Sequence, residues 1–156
     1  MHRIQCIIGK RERYGNSNRD TQIKRKIVGI CDKAFMHGIT IRKNYEEIFQ
    51  KIDQNAVFIA AVIDKNYVGY AALYANNHES RIAYISMIGV VQDMQRMHIG
   101  SRLLKRCIEV SKKNGMNKIR LEVLHENEKG ICFYKKNGFA FEKKCTEQSD
   151  YFIKVL

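Results

Sequence analysis

A polar turn near the middle of the chain carries residues that could bind a phosphate. Residues 95–101 follow an apolar run and precede an amphipathic stretch, so the turn lies where a strand passes into a helix. The first N–H groups of a helix have no partner within it, and the helix dipole favours negative charge there. Gly100 lets an anion approach the backbone because it has no β-carbon, and Arg96 supplies a cation. These residues predict a phosphate site, although an ordinary hydrated helix start remains equally open.

The sequence on either side of the turn predicts the elements that position it. Residues 82–91 are apolar with β-branched and aromatic side chains, which is typical of a strand covered on both faces. After the turn, apolar residues recur at steps of three and four, with mostly basic residues between them. This period indicates an amphipathic helix, which Asn114 and Gly115 would end.

The rest of the chain alternates between helical and strand periodicity. The first predicted helix would be capped by Asp20 or Thr21. Two apolar runs joined by Lys65 and Asn66 predict a hairpin. The remaining predicted elements are strands at 2–8, 118–124 and two near the end, and helices at 21–35, 44–55 and 127–137. We expect an α+β domain around one central mixed sheet.

The first predicted helix has a regular apolar stripe, which we expect to be buried. Its members are Ile23, Ile27, Ile30, Cys31 and Ala34. The second helix would bury Tyr45, Ile48, Phe49 and Ile52.

Length and composition narrow the class of protein. The 156 residues suffice for one domain with a hydrophobic core, so we expect a single domain over residues 1–156. The longest apolar run, residues 56–63, is far shorter than the roughly 20 residues that span a bilayer, and the N-terminal residues do not resemble a secretory signal. Five scattered cysteines favour free thiols in a reducing cytoplasm.

The strongly basic composition raises the question of nucleic-acid binding. The net charge is +12, from 28 basic and 16 acidic residues. The basic residues are spread over several short clusters rather than gathered in one tract interleaved with aromatic residues. Nucleic-acid binding is therefore the weaker interpretation, because a generally basic surface that attracts small anionic molecules explains the charge equally well.

The turn resembles a known cofactor loop. Residues 95–100, QRMHIG, are similar to the Q/R-x-x-G-x-G/A pyrophosphate loop of the GCN5-related N-acetyltransferase (GNAT) family. The strand that this family places before the loop is also predicted here. The sequence departs from the pattern at His98, where the family has glycine.

A second stretch resembles the same family. Residues 127–139 are similar to its N-x-x-A-x-x-x-Y-x-x-x-G-F pattern through Asn127, Ile131, Tyr134, Gly138 and Phe139. Glycine stands at position 130, where alanine is usual in the family. Because both patterns occur in the family's order, with a helix and a strand between them, the chain is identified as a member of the GNAT family.

The resemblance implies a fold, a cofactor and a reaction. It implies a single GNAT-like domain whose mixed sheet is flanked by helices in α/β/α layers, and acetyl-CoA (coenzyme A) as the acyl donor for a primary amine. Backbone groups of Ile88 and Val90 would pair with the pantetheine arm, and Asn127 would contact the cofactor from the other side. The pyrophosphate would lie on Gln95, Arg96, Met97, His98, Ile99, Gly100 and Ser101.

The resemblance also implies an acid, whereas the base stays open. Tyr134 occupies the position of the family's general acid, and a phenol of pKa about 10 holds its proton at neutral pH. A half-buried tyrosine that only completes a helix face is the alternative. Glu122 stands at a separation from Tyr134 similar to that of base and acid in the ribosomal-protein alanine acetyltransferase branch. An ion pair of Glu122 with Arg120 is equally open, and His125 or a bound water could also serve as base.

Other functions remain to be distinguished. A CoA-binding module without catalysis and a basic nucleic-acid-binding domain are the alternatives to an N-acetyltransferase. The acceptor would be a small molecule or a peptide amine, and the basic surface favours an acidic one. We expect no membrane partner and no metal, since the histidines and cysteines share no ligand spacing. A homodimer stays open.

Overall fold

The computed structural model describes residues 3–9, 18–35 and 37–156, and the order of elements agrees with the sequence pattern. In chain order the elements are β1 (Gln5–Ile8), α1 (Asn18–Ile30), a 3-10 turn (Asp32–Ala34), α2 (Tyr45–Asn55), β2 (Val57–Ile63), β3 (Asn66–Tyr74), β4 (Ile82–Val90), a second 3-10 turn (Gln92–Met94), α3 (Ile99–Lys113), β5 (Lys118–Leu124), α4 (Glu128–Lys136), β6 (Ala140–Lys144) and β7 (Ser149–Val155).

The strands form a mixed sheet, as expected for the predicted α+β class. Seven described strands follow the order β1-β2-β3-β4-β5-β7-β6. The pairs β1–β2, β2–β3, β5–β7 and β6–β7 are antiparallel, whereas β4 and β5 are parallel.

The chain divides into two compact units. The first comprises Met1–Leu73 with Met87–Cys107, and the second comprises Tyr74–Ser86 with Ile108–Leu156.

In the first unit, apolar stripes of the helices and two central strands form the core. Strands β2 and β3 are almost continuously buried, as their lack of alternation predicts. The rings of Phe58 and Tyr70 stack with centroids 5.2 Å apart. At the start of α3, Ile99, Leu103 and Leu104 are buried at the three- and four-residue spacing of one helix face.

Helix α1 ends five residues earlier than the sequence pattern indicates. The predicted helix at 21–35 includes Asp32, whose carboxylate instead accepts hydrogen bonds from the backbone N–H groups of Ile39 and Thr40, at 2.7 and 3.1 Å. The Thr40 hydroxyl donates to the same carboxylate at 2.9 Å. Burial opposes the charge of Asp32, yet these bonds lower its carboxyl pKa below the ordinary value. A short side chain that bonds to nearby backbone favours a turn over a helix, which explains the early end.

The predicted buried stripe of α1 is only partly correct. Ile27 and Cys31 are buried, but Ile23 and Ala34 are half-exposed, and Ile30 is 43% exposed. Ile30 is the last residue of α1, and Ala34 lies in the 3-10 turn that follows, where the helical spacing no longer holds. In α2, Phe49 and Ile52 are buried as predicted, while Tyr45 and Ile48 are half-buried.

The β2–β3 hairpin turns one residue earlier than predicted. Ile63 pairs with Asn66, so Asp64 and Lys65 form the two-residue turn. Both adopt left-handed backbone angles, with φ of 48° and 67°, as a turn of type I′ requires. The Asn66 side chain donates to the Asp64 carbonyl, and Asn66 itself lies within the strand. The prediction of Lys65 and Asn66 as the turn was therefore wrong by one position.

The second unit is built on the β5–β7 pair. Ile119, Leu121 and Val123 are buried at alternate positions of β5, whereas the residues between them are half-buried or exposed. Phe139 and Phe152 are buried as well. The five cysteines all lie in the described part of the chain and form no disulfide there. Burial raises the pKa of the Cys31 thiol to about 11 and that of Cys107 to about 12, so both are protonated at neutral pH.

Candidate functional site

The first unit contains the end of the predicted strand, the turn and the helix start. Strand β4 ends at Val90, a 3-10 turn follows, and α3 begins at Ile99. The N–H groups of residues 99–101 donate to no described backbone or side-chain acceptor, and the first helical bond next to the turn is from Arg102 N–H to the His98 carbonyl at 3.1 Å. Arg96 and His98 are exposed, while Gly100 is half-buried. The helix start therefore offers several N–H groups and a guanidinium to an anion.

His98, which stands where the family pattern has glycine, adopts a backbone angle that suits glycine. Its φ is +58°, in the left-handed region that a residue with a β-carbon seldom adopts. Glycine enters this region without steric cost. The turn therefore keeps the backbone angle for which glycine is suited, even though a histidine occupies the position.

The end of β4 is held from one side by an aromatic ring. A β-carbon built on Gly89 would lie 3.0 Å from two ring carbons of Phe35 and 3.4 Å from the Ala34 β-carbon. Phe35 therefore packs directly on the strand between Ile88 and Val90. Ile88, on one side of Gly89, is half-buried, and Val90, on the other, is 8% exposed.

The hydrogen-bonded register of β4 with β5 is short. It runs from the Ile82–Lys118 pair to the Ile85–Leu121 pair, although β4 itself continues to Val90. Beyond Leu121, β5 remains paired with β7. The last residues of β4, which include the predicted pantetheine-binding positions, thus lie outside this register.

In the second unit, Asn127 is the N-cap of α4. Its Oδ1 atom accepts the Gly130 N–H at 3.0 Å. A β-carbon on Gly130 would lie 2.4 Å from the Asn127 amide nitrogen. The glycine at position 130, where the family usually has alanine, therefore leaves room for the capping amide in this conformation. A cofactor contact of Asn127 remains a prediction.

Tyr134 lies on α4 and is half-buried. Its ring meets the rings of Phe133 and Phe139 edge to face, with centroid distances of 5.2 and 5.8 Å. The chain turns directly beneath it, since the Phe139 N–H donates to the Tyr134 carbonyl at 3.0 Å. The ring is thus packed against neighbours on two sides, which orients the phenol. Its catalytic role remains a prediction.

Glu122 is exposed on β5 and has a partner different from the one considered in the sequence. Its Oε1 atom accepts a hydrogen bond of 2.5 Å from the hydroxyl of Ser149, which is fully buried. Arg120 instead forms a bidentate pair with Glu142, so the ion pair of Glu122 with Arg120 does not form among the described residues. One oxygen of the Glu122 side chain is therefore oriented by a buried hydroxyl.

His125, the other candidate base, has a carboxylate partner. Its Nε2 atom lies 3.1 Å from an Asp150 carboxylate oxygen, and the His125 side chain is 47% exposed. Its backbone N–H donates to the Gln148 carbonyl. The His125 side chain and backbone therefore already have partners at the start of β7. This makes His125 a weaker candidate for the base than Glu122.

A cavity in the second unit was not predicted from the sequence. Its volume is about 310 Å³, and it is lined by Tyr74, Asn76, Asn77, Ser80, Ile82, Tyr84, Arg120 and Tyr151. Six of these residues lie within 74–84, at the end of β3, in the β3–β4 connection and at the start of β4, whereas Arg120 comes from β5 and Tyr151 from β7. No local motif links these three segments, and the strand register brings them together.

Two further features bear on function. Among the described residues, no cluster of three or more histidine, cysteine or acidic side chains could hold a metal ion. In the same part of the chain, no helix is long and apolar enough to cross a membrane.

Sequence comparison finds relatives of a single kind. An uncharacterized N-acetyltransferase of Methanocaldococcus jannaschii is 36% identical over 99 residues, which are 61% of this chain and 43% of that protein. A spermidine N(1)-acetyltransferase of Thermoplasma acidophilum is 31% identical over 99 residues, which are 62% of this chain and 57% of that protein. The chain therefore matches about half the length of these curated relatives.

Solved structures and a family model agree with these relatives. The PaiA N-acetyltransferase of T. acidophilum, crystallised with coenzyme A, has a TM-score of 0.76 at 20% identity, with 99% of both chains covered. A GNAT acetyltransferase of Staphylococcus aureus has a TM-score of 0.77 at 17% identity, with the same coverage. At these identities the agreement concerns the fold. The model of the acetyltransferase (GNAT) family matches residues 28–139, which include β4, the turn and α4. Because this match covers well over half of the chain, the protein belongs to the acetyltransferase (GNAT) family.

Proposed function

We propose that the chain is an acetyl-CoA-dependent N-acetyltransferase that moves the acetyl group to a primary amine by direct attack on the thioester. The observation that carries the proposal is the helix start after β4. There, the N–H groups of residues 99–101 have no acceptor among the described residues, in a chain of the acetyltransferase family. Relatives named as N-acetyltransferases, and a similar structure crystallised with coenzyme A, support the choice of acyl donor.

The turn is chemically suited to the pyrophosphate of coenzyme A. Unpaired backbone N–H groups, the positive end of α3 and Arg96 all favour an anion. Gln95, Met97, His98, Gly100 and Ser101 would complete the loop. Backbone groups of Ile88 and Val90 would bond to the pantetheine arm, and a backbone N–H near Val90 would stabilise the oxyanion of the tetrahedral intermediate.

The reaction needs one proton to leave the amine and one to reach the sulfur. The neutral amine nitrogen attacks the carbonyl carbon, a C–N bond forms, and the C–S bond then breaks. Glu122 takes a proton from the nitrogen, and the phenol of Tyr134 gives a proton to the departing thiolate. The Ser149 hydroxyl orients the Glu122 carboxylate, while Phe133 and Phe139 hold the Tyr134 ring. Much of the rate enhancement would come from holding the amine beside the thioester.

The decisive experiment replaces the proposed acid. Tyr134→Phe keeps the ring packing and removes only the proton donor, so acetyl-CoA affinity should hold while kcat falls by about 10²-fold or more. Release of CoA thiol with an amine panel measures kcat, and calorimetry with acetyl-CoA measures affinity. The matched control is Tyr67→Phe, at a half-buried tyrosine of β3 to which no catalytic role is assigned. Unchanged turnover in Tyr134→Phe would contradict the role of Tyr134. Binding of CoA without thiol release from any amine would favour the non-catalytic binding module.

A further inference from the structure

The cavity of the second unit has a lining with a clear chemical preference. Its polar groups are phenols of three tyrosines, the amides of two asparagines, one serine hydroxyl and the guanidinium of Arg120. No carboxylate side chain is among the described residues that line it. Its volume of about 310 Å³ lies at the small end of the range for small-molecule sites. Such a lining offers hydrogen-bond donors and one cation to an anionic ligand group. It offers no carboxylate to pair with an ammonium group of a ligand.

Arg120 is fixed in place, and part of its guanidinium remains available. Its Nε donates to one oxygen of Glu142 at 2.6 Å and its Nη2 to the other at 2.5 Å. The guanidinium carbon lies 5.4 Å from the centre of the Tyr151 ring. A guanidinium has five N–H donors, and its Nη1 group has no acceptor among the described residues. An anion in the cavity would therefore meet donors whose geometry is already set.

Glu122 is not part of the cavity lining, but it lies on the same strand face as the lining residue Arg120 and pairs with the lining residue Tyr151. It faces Tyr151 in the β5–β7 register, and its hydrogen bond from Ser149 fixes one oxygen. Burial raises the pKa of Tyr84, and the charge of Glu122 raises it further. A hydrogen bond with Cys145 and then burial raise the pKa of Tyr151, with a further increase from Glu122. The carboxylate is thus close enough to act on two residues that line the cavity.

Arg120 and Glu122 stand two residues apart on one strand. Side chains at i and i+2 share a face, and two residues of strand span about 7 Å. Their α-carbons are therefore about 7 Å apart, and strand side chains stand roughly perpendicular to the sheet, so a ligand with its carboxylate at Arg120 would bring a group about 7 Å away along the strand near the proposed base. We propose that this cavity binds the carboxylate of the acetyl acceptor, and that the acceptors are amino-acid-like primary amines whose amine and carboxylate are separated by about 7 Å. This inference rests on the proposed transferase function.

A matched pair of acceptors tests the inference without any mutation. The amine of 4-(aminomethyl)benzoate is separated from its carboxylate by a flat ring, and 4-(aminomethyl)benzamide has the same shape without the charge. With acetyl-CoA and a thiol-release assay, kcat/KM should be about tenfold or more higher for the acid, as expected for one charge-assisted hydrogen bond. Equal kcat/KM values for the two amines would overturn the proposal.

Variants identify the residue responsible. The double variant Arg120→Gln/Glu142→Gln removes both charges, so no charged group is left without its partner, and the acid-to-amide ratio should fall to about one. Lys118→Gln removes the same charge from an exposed position of the same strand, and its ratio should equal that of the wild type. A ratio that persists in the double variant, or is lost in Lys118→Gln as well, would overturn the assignment. Circular dichroism checks that both variants are folded.

Calorimetry separates failure of this inference from failure of the transferase function. Binding of 4-(aminomethyl)benzoate that disappears in the double variant, without thiol release from any amine, would support the carboxylate site and overturn the transferase. Thiol release from both probes with no difference between them would support the transferase and overturn the carboxylate site.

Discussion

Two glycine-to-alanine substitutions in the first unit should have opposite effects on stability. Gly69 lies in β3, where an added β-carbon would be 2.8 Å from the Gly89 carbonyl oxygen, 3.2 Å from a Leu103 methyl and 3.4 Å from the Val90 α-carbon. Gly29 lies in α1, where an added β-carbon would meet nothing within 4 Å. The same methyl group is therefore added once against the backbone and once into open space.

The magnitudes follow from these contacts. The carbonyl of Gly89 belongs to a strand and cannot rotate away, so Gly69→Ala requires a backbone shift that costs about 1–3 kcal/mol. Alanine also reduces the conformational freedom of the unfolded chain, which offsets this cost by about 0.5–1 kcal/mol. With the midpoints of these two ranges, the free energy of unfolding should fall by about 1 kcal/mol, and Tm by about 2–5 °C for a chain of this size. Gly29→Ala should raise the free energy of unfolding by about 0.5–1 kcal/mol.

Thermal and urea unfolding followed by circular dichroism measure both changes. Because Gly69 contacts β4 at Gly89 and Val90, Gly69→Ala should also weaken the stabilisation by acetyl-CoA, whereas Gly29→Ala should leave it unchanged. If Gly69→Ala is as stable as the wild type, or if both substitutions shift Tm in the same direction, the close approach of β3 and β4 at this point is wrong.

Three further substitutions test the turn, the base and an ion pair. Gly100→Val should abolish the rise in Tm that CoA produces in the wild type while leaving a folded protein, and an equal rise in both would contradict the pyrophosphate site. Glu122→Gln should flatten the acidic limb of the rate-versus-pH profile, and an unaltered limb would exclude Glu122 as the base. The hydrogen bond from Arg120 lowers the pKa of the Glu142 carboxyl, so its stabilisation is present above the unfolded pKa of about 4.3 and is lost as the pH falls through the native pKa. Glu142→Gln should therefore cost about 1 kcal/mol in the free energy of unfolding at pH 7 and progressively less as the pH falls through the native pKa, and a cost that does not change with pH would contradict the assignment.

The order of elements was predictable because each element carries its own periodicity. The continuous apolar runs of β2 and β3 and the three- and four-residue spacing after Ile99 are local signals that burial enforces. The early end of α1 was not predictable, because there a side chain outside the apolar pattern redirects the backbone. Asp32 ends α1 by bonding to residues seven and eight positions later, and periodicity contains no trace of such a bond.

The candidate site was predictable only in part, for the same reason. The turn at residues 95–101 and the stretch 127–139 that contains Tyr134 are each continuous in sequence, so their motifs can be recognised from the sequence alone. The partner of Glu122 is Ser149, 27 residues away, and Arg120 pairs with Glu142 across 22 residues. These pairings depend on the β5–β7–β6 register, which spacing along the chain does not specify. The cavity beside them was missed because it exists only once that register has formed.

The backbone of His98 changes how the glycine of the cofactor loop is understood. Its φ of +58° indicates that a dihedral angle constrains the residue type at this position, whatever room a ligand needs. Asparagine and aspartate adopt this angle more readily than other residues with a β-carbon, and β-branched residues hardly do so. A search pattern that demands glycine at this position would therefore overlook family members such as this one. A pattern that admits the residues tolerant of a left-handed backbone, histidine included, would recover them from sequence.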